Sequence, residues 1–259
     1  PDKYVMYVDC ERTFDAKWAK TLGVDIDNLI FVSPEEQTAE EIFEIIYNTV
    51  ETGEISLAVL DSLAAMVSAQ AYDKTMEEKT YGGISQSLTL FSRKLIPVLA
   101  KYNATFIGIN QLRDNMNSTY GGTITTGGRA WKHNCTTRIE FKKGDYFDFK
   151  GNRVNQTFEN PAGNIVNCNI AKNKAGRPDR KTGYYTLNYL DGIDYYSDAI
   201  DLAVKYGLIT VAGAWYKIED EEITDQPLKF QGKNAVKNAL KEDENLFKNL
   251  TDFLQKELA

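Results

Sequence analysis

At 259 residues, 42% of them apolar, the chain is long enough for one large domain, or one with a small satellite, and its composition is ordinary for a globular protein. No apolar run is long enough to span a bilayer and no charged-then-apolar signal segment opens these residues, so no membrane is expected among the chain's partners. The widely spaced cysteines Cys10, Cys135 and Cys168 form neither a disulfide framework nor a zinc knuckle and suit a reducing cytoplasm. A net charge of -7 argues against indiscriminate coating of nucleic acid but leaves room for a local basic groove.

The chain begins with Pro1, and an apolar strand, Tyr4-Val5-Met6-Tyr7-Val8, starts at once. A buried parallel strand needs neighbours on both sides, so an N-terminal portion is expected to be absent. The strand ends at Asp9-Cys10-Glu11. Two carboxylates there suit contacts to metal, water or ribose, and equally the acid-enriched start of a helix. Thr13 or Asp15 is placed to cap a helix through Thr21, stopped by Gly23. Leu29–Val32 reads as a short strand ended by Ser33-Pro34. Thr38 to Val50 carries Ile42, Ile45, Ile46 and Val50 at helical spacing, and Gly53 closes that helix.

Ser56 to Leu60 is a buried strand that delivers Asp61-Ser62 at its end. Such an ending can hold a magnesium hydration shell beside a nucleotide, and it also occurs in buried strands with no such role. Val67 to Gly83 reads as a loop or frayed helix. Ile84 to Tyr102 is an amphipathic helix, bent by Pro97 or with Pro97 in its last turns. Strand, helix and short link alternate, which points to a mainly parallel, doubly wound α/β sheet.

The stretch Ala104–His133 organises the rest. A buried strand, Thr105 to Ile109, ends in the amides Asn110-Gln111 and spills into a polar loop closed by Gly127-Gly128. In open α/β sheets ligands sit beyond the carboxyl ends of strands, and long loops of this kind are often functional, although a plain polar surface loop has the same composition. A basic segment, Arg129 to His133, follows; Arg129, Lys132, Arg138, Lys142 and Lys143 face a single acid, Glu140. A second basic run spans Lys172 to Lys181. His133 is the only histidine, so a multi-histidine metal site and a Ser-His-Asp triad are hard to build.

Arg138–Phe141 and Ile165–Ala171 read as strands around a turn-rich hairpin excursion, Gly144 to Asn164. Tyr184 to Tyr189 is a further strand, and Asp191-Gly192 a turn. After Tyr196 the character changes. Ser197 is placed to cap a helix, Asp198–Tyr206; strands Leu208–Val211 and Gly213–Tyr216 follow, then helices near Lys233–Leu240 and Glu244–Leu258. The expected domains are therefore 1–196, and a small acidic α+β unit, 197–259.

Seven stretches, in this order, resemble the bacterial and phage RecA-type recombinases: VDCERTFDAKWAKTLGVDIDNL, LAVLDSLAAM, INQLR, TTGGRAWK, KNKAG, DGIDYYSDAIDLAVKYGLI and GAWY. The resemblance implies a RecA-like ATPase core with a C-terminal α+β domain. It also implies ATP and magnesium as cofactors, and a homo-oligomeric helical filament on single-stranded DNA that pairs with double-stranded DNA and exchanges strands. By that resemblance Glu11 activates the water that attacks the γ-phosphate, and Asp61 orders magnesium through water. Asp15 and Trp18 contact adenine, with Trp18 in place of the more usual Tyr, and Ser62 and Tyr196 join the nucleotide-binding set. Gln111 senses the γ-phosphate. Lys172 and Lys174 reach the γ-phosphate bound at a neighbouring subunit.

The two loops, near 68–83 and 112–126, correspond to the family's DNA-binding loops, with Arg113, Asn115, Gly127, Gly128, Arg129 and Lys132 as candidate contacts. Two departures stand out. No G-x-x-x-x-G-K-[ST] sequence occurs in these residues, so the chain as given is expected to hydrolyse ATP poorly or not at all. His133 replaces an apolar aromatic that relays between subunits in many bacterial members. The alternatives are a non-hydrolysing RecA-fold DNA-binding or filament-interacting homologue, and another RecA-fold ATPase of helicase or RadA type.

Overall fold

A computed structural model describes residues 3–75, 83–114, 123–176, 179 and 181–258. The chain divides into two compact units, Pro1–Arg138 with Lys172–Gly176, and Ile139–Ala171 with Arg177–Ala259.

In the first unit β1 (Tyr4–Asp9) is followed by α1 (Ala16–Thr21), β2 (Leu29–Val32), α2 (Ala39–Glu51) and β3 (Ile55–Asp61). A short α3 (Ala69–Tyr72), the long α4 (Ser85–Tyr102) and β4 (Thr105–Gly108) complete the alternation. The four strands are parallel, in the order β2-β1-β3-β4. Met6 and Val8 of β1 and Ile55, Ala58 and Leu60 of β3 are buried, which is why these two strands carry almost no polar residue before their ends. α2 begins with a capping box in which the Thr38 hydroxyl accepts from the Glu41 amide and the Glu41 carboxylate accepts from Thr38. Its buried face, Ile42, Phe43, Ile46 and Val50, shares one core with Leu88, Phe91 and Leu95 of α4, and Phe43 stacks on Phe91 at 4.4 Å. Pro97 lies within α4, which runs on to Tyr102 and stops at left-handed Asn103.

β1 leads to β2 on one side and β3 leads to β4 on the other. The chain therefore parts at the carboxyl ends of β1 and β3, the place where α/β sheets bind ligands. After β4 the parallel pattern stops. The polar loop expected after Gln111 contains a two-stranded antiparallel ribbon, β5 (Leu112–Asp114) with β6 (Thr123–Thr125), and the basic segment after it is a helix, α5 (Gly128–Asn134).

The second unit holds a five-stranded sheet in the order β11-β10-β9-β7-β8, made from β7 (Thr137–Phe147), β8 (Arg153–Val154), β9 (Gly163–Asn173), β10 (Thr182–Asn188) and β11 (Gly192–Ile193). β7 runs three residues past Gly144, where a turn was expected. A Cβ at Gly144 would lie 2.6 Å from the Asn167 side chain, so this glycine serves close strand packing rather than a turn. α6 (Tyr195–Lys205) is capped by Asp194, whose carboxylate accepts from the Ser197 amide. The expected cap, Ser197, sits inside the first turn, where its hydroxyl donates to Asp194 at 2.7 Å. A three-stranded antiparallel sheet, β12 (Ile209–Ala212), β13 (Trp215–Ile218) and β14 (Leu228–Gln231), precedes α7 (Lys233–Glu242) and α8 (Glu244–Leu258). Gly213-Ala214 is the turn between β12 and β13 rather than strand, because positive φ at Gly213 permits the reversal. Ile200, Ile209, Ile218, Ile223, Val236, Leu240 and Leu250 form the core here. Among the described residues no helix is long and apolar enough to cross a membrane.

The fold is thus α/β with a parallel sheet, followed by a smaller C-terminal α+β assembly, the class expected from the order of elements.

Candidate functional site

The ends of β1, β3 and β4 meet at one rim. Register pairs Asp9 with Asp61, and the Cys10 amide donates to the Asp61 carbonyl at 2.6 Å. Asp9 is 2% exposed. Its two oxygens accept from the Glu11 amide at 3.1 Å and the Phe14 amide at 2.8 Å. That cage sets the turn after β1, and Arg12 takes a left-handed φ of 57 within it. The Arg12 guanidinium donates to the carbonyls of Pro34 and Glu35, tying the turn to the loop after β2. A shallow cleft lined by Asp9, Arg12, Phe14, Phe31, Ser33 and Glu35 lies beside it.

The turn presents the Glu11 carboxylate to two other strand ends. Its Oε1 accepts from Gln111 Nε2 at 2.8 Å and from the hydroxyl of buried Ser62. The Asp61–Ser62 peptide is cis. Asp61 Oδ2 accepts from the Tyr7 hydroxyl at 2.7 Å. Asp9, Glu11 and Asp61 leave this rim strongly negative, with effects on its neighbours. Burial first, and then the charges of Asp9, Asp61 and Glu11, push the Cys10 thiol up to about 11. Burial, then the hydrogen bond and charge of Asp61, hold the Tyr7 phenol well above its usual range, so it is a donor.

Gln111 also starts the ribbon. Asn110, its neighbour, accepts from the Gln111 amide at 2.9 Å and donates to the Thr126 carbonyl at 2.8 Å, joining the loop's two ends. Gly127 follows with φ 97, and a Cβ there would lie 2.5 Å from Leu88 of α4. It is buried, so packing alone requires a glycine. Gly128 is exposed and opens α5. Trp131 anchors α5 under the sheet edge: a Cβ at Gly108 would meet its ring at 3.0 Å, and the ring meets Phe106 edge-on at 6.2 Å. At the other end of α5, Lys172 Nζ donates to the carbonyls of Lys132 at 2.8 Å and His133 at 2.7 Å, and Lys174 Nζ to His133 at 3.3 Å. Burial, and then the charge of Lys174, pull the Lys172 pKa below its ordinary value. Two ammonium groups share carbonyl acceptors and meet no carboxylate among the described residues.

The model of the RecA N-terminal domain matches residues 2–194, and that of the RecA C-terminal domain matches residues 197–259. The chain belongs to the RecA family. Protein RecA of Ureaplasma parvum serovar 3 is 32% identical over 249 residues, covering 96% of this chain and 70% of that protein. Protein RecA of Mesoplasma florum is 35% identical over 255 residues, covering 96% and 72%. The crystal structure of the RadB recombinase superposes with a TM-score of 0.50 at 18% identity, covering 74% of this chain and 78% of that one, a likeness of fold.

In this RecA-family chain the remaining candidates are placed as follows. Asp15 caps α1, accepting from the amides of Lys17 at 2.8 Å and Trp18 at 3.0 Å, and Trp18 is half-buried on that helix. Arg113 is exposed on β5 opposite Ile124, and Arg129 is exposed and Lys132 half-buried on α5. Asn115 lies outside the described residues. Tyr196 is in the second unit, on α6, against Phe247 at 4.6 Å and under Lys241. The loop near 68–83 is rooted on α2: Val67 accepts from the Ala39 amide at 2.7 Å and Glu40 from the Ala69 amide at 2.8 Å; residues 76–82 lie outside the described residues. Sequence reasoning gives Asp9 contacts to metal, water or ribose, whereas both its oxygens accept backbone amides of the turn; it leaves Asn110 as one of two strand-end amides and passes over the Tyr7 hydroxyl. The signals were a tyrosine in an otherwise apolar buried strand, whose hydroxyl needs a partner, and an Asn at the mouth of a glycine-closed loop.

Proposed function

We propose that the protein is an ATP-dependent DNA recombinase that forms a filament on single-stranded DNA and catalyses homologous pairing and strand exchange. The observation that carries this is one carboxylate, Glu11, held at once by Ser62 from the end of β3 and by Gln111 from the root of the ribbon. In that arrangement Glu11 Oε1 is anchored and Oε2 is left to orient a water and take its proton. The Gln111 amide can hold Glu11 or turn to a terminal phosphate. That choice is passed through Asn110 to both ends of the loop, a two-state element beside the nucleotide.

Asp15, Trp18, Ser62 and Tyr196 are proposed to hold the nucleotide. Arg113, Asn115, Arg129 and Lys132, with the Gly127-Gly128 backbone, are proposed to meet DNA phosphates. Lys172 and Lys174 are proposed to neutralise phosphate charge at the adjoining subunit; two cations that, among the described residues, are capped by carbonyls suit an anion arriving from outside. Magnesium fits the rim as a guest of the nucleotide. No described cluster of His, Cys, Asp or Glu would hold a metal unaided, while Asp61 keeps one oxygen clear of Tyr7 and magnesium favours a carboxylate or two plus phosphate oxygens. Bound there, it would screen phosphate charge. The domain division at Tyr196/Ser197 is part of this proposal.

The test is ATP hydrolysis by the full-length protein with and without single-stranded DNA. DNA should stimulate turnover and Glu11→Gln should abolish it; undiminished turnover in that variant would refute the role of Glu11. A second reading, a DNA-binding RecA homologue without turnover, predicts no hydrolysis by wild type or Glu11→Gln, with or without DNA.

A further inference from the structure

We propose that Tyr7 is a positioning residue, whose hydroxyl holds the Asp61 carboxylate so that its second oxygen faces the magnesium-bound water of the nucleotide. The inference rests on the function proposed above and adds a residue to it.

Tyr7 lies two residues before Asp9 on β1, and Asp9 is the ladder partner of Asp61. Tyr7 and Asp9 therefore share a face of the sheet, and Tyr7 is the diagonal neighbour of Asp61, within reach of a long side chain. Its hydroxyl donates to Asp61 Oδ2 at 2.7 Å. The ring is wedged: Phe14 is tilted against it at 5.2 Å, and Phe31 lies near-parallel at 6.5 Å. Phe14 and Phe31 also touch each other at 4.7 Å. Phe14 is itself fixed, because its amide is bound by buried Asp9. The path thus runs from the Asp9 cage to the Phe14 ring, from that ring to the phenol, and from the phenol to the carboxylate. A carboxylate has about four acceptor positions and turns freely about its last bond. One strong, directed donor on Oδ2 removes that freedom and presents Oδ1.

Partners one step removed from a metal typically contribute 10- to 100-fold to its affinity, and Tyr7, which acts through Asp61 and a bound water, falls at the low end of that range. Tyr7→Phe deletes one oxygen and leaves the aromatic cluster in place. The assay is Mn2+ binding to the full-length protein with a non-hydrolysable ATP analogue, read as free Mn2+ by electron paramagnetic resonance. Nucleotide affinity in EDTA and the melting temperature of the free protein are measured alongside. Tyr7→Phe should weaken Mn2+ binding about tenfold and leave the metal-free nucleotide affinity unchanged. Phe14→Leu, which loosens the ring without removing the hydroxyl, should weaken Mn2+ binding by a smaller factor, and it decides the matter if Tyr7→Phe does not fold. Equal Mn2+ affinity in wild type and variants, with or without a drop in melting temperature, would reduce Tyr7 to packing and overturn the inference alone. Failure of the wild type to retain Mn2+ with the nucleotide would overturn the nucleotide-binding function, and the inference with it.

Discussion

Under the proposed function, replacing Asn110 with Ala separates holding the loop's two ends together from touching DNA. The side chain makes two neutral hydrogen bonds, to the Thr126 carbonyl at 2.8 Å and from the Gln111 amide at 2.9 Å. The Gln111 amide is exposed, so water replaces the second bond. The first joins chain ends sixteen residues apart and is partly shielded, so its loss costs about 1 kcal/mol. If DNA binding requires the joined loop, that cost appears as about fivefold weaker binding to single-stranded DNA. The assay is fluorescence anisotropy with a labelled oligothymidine across a salt series. Because Asn110→Ala removes no cation, the slope of log affinity against log salt should stay that of the wild type. Arg113→Ala, by contrast, should flatten the slope by about 0.7 for each phosphate that the arginine neutralises. An unchanged affinity in Asn110→Ala would refute the latch, and a flattened slope would show that Asn110 acts through phosphate instead.

Three further outcomes follow from charges the fold has buried or crowded. Lys237 pairs with Asp194 at 2.6 Å, with side chains 24% and 12% exposed, so Lys237→Met should lower stability by about 2 kcal/mol in urea unfolding, below the range for a fully buried pair. Burial raises the Asp194 carboxyl, but the hydrogen bonds of Lys237 and then Ser197 outweigh it and hold the carboxyl below its ordinary value. The stability it contributes is therefore complete above about pH 4 and lost as pH falls through the depressed value; Asp194→Asn should flatten the acid limb of the melting profile. Burial, helped by the charges of Asp194 and Asp201, outweighs the Thr186 hydrogen bonds and raises Asp198, a contribution of the opposite sign, so the comparison is made in an Asp198→Asn background. At the rim, the Cys10 thiol near 11 is a reporter of its carboxylates. In a Cys135→Ser, Cys168→Ser background its alkylation by iodoacetamide should keep accelerating past pH 10, and Asp61→Asn should move the profile down; a plateau near pH 9 in the parent would contradict the crowding.

Much of the first unit was legible because its signals are local. Apolar runs ending in Asp9, Asp61 and Asn110-Gln111 mark parallel strands whose tips face one crevice, and Thr38 with Glu41 announces a helix start. What escaped were facts fixed by distant partners. Asp194 and Ser197 are both acceptable caps, and the backbone angles at Asp194 decide between them. Gly144 reads as a turn until Asn167 is placed beside it. β14 is four residues of alternating character with no motif, recognisable only against β13. The Tyr7 hydroxyl finds Asp61 across 54 residues. The lysine pair rests on carbonyls of α5, groups that every residue carries and no sequence pattern distinguishes.

Gln111 joins the rim of strand ends to the loop, and one measurement tests the proposed link most directly: the single-stranded DNA affinity of the full-length protein with and without a non-hydrolysable ATP analogue, in wild type and Gln111→Ala. The account predicts that the analogue tightens DNA binding by the wild type, and that Gln111→Ala binds DNA as the nucleotide-free protein does in both conditions. A variant that tightens on DNA as much as the wild type would contradict it.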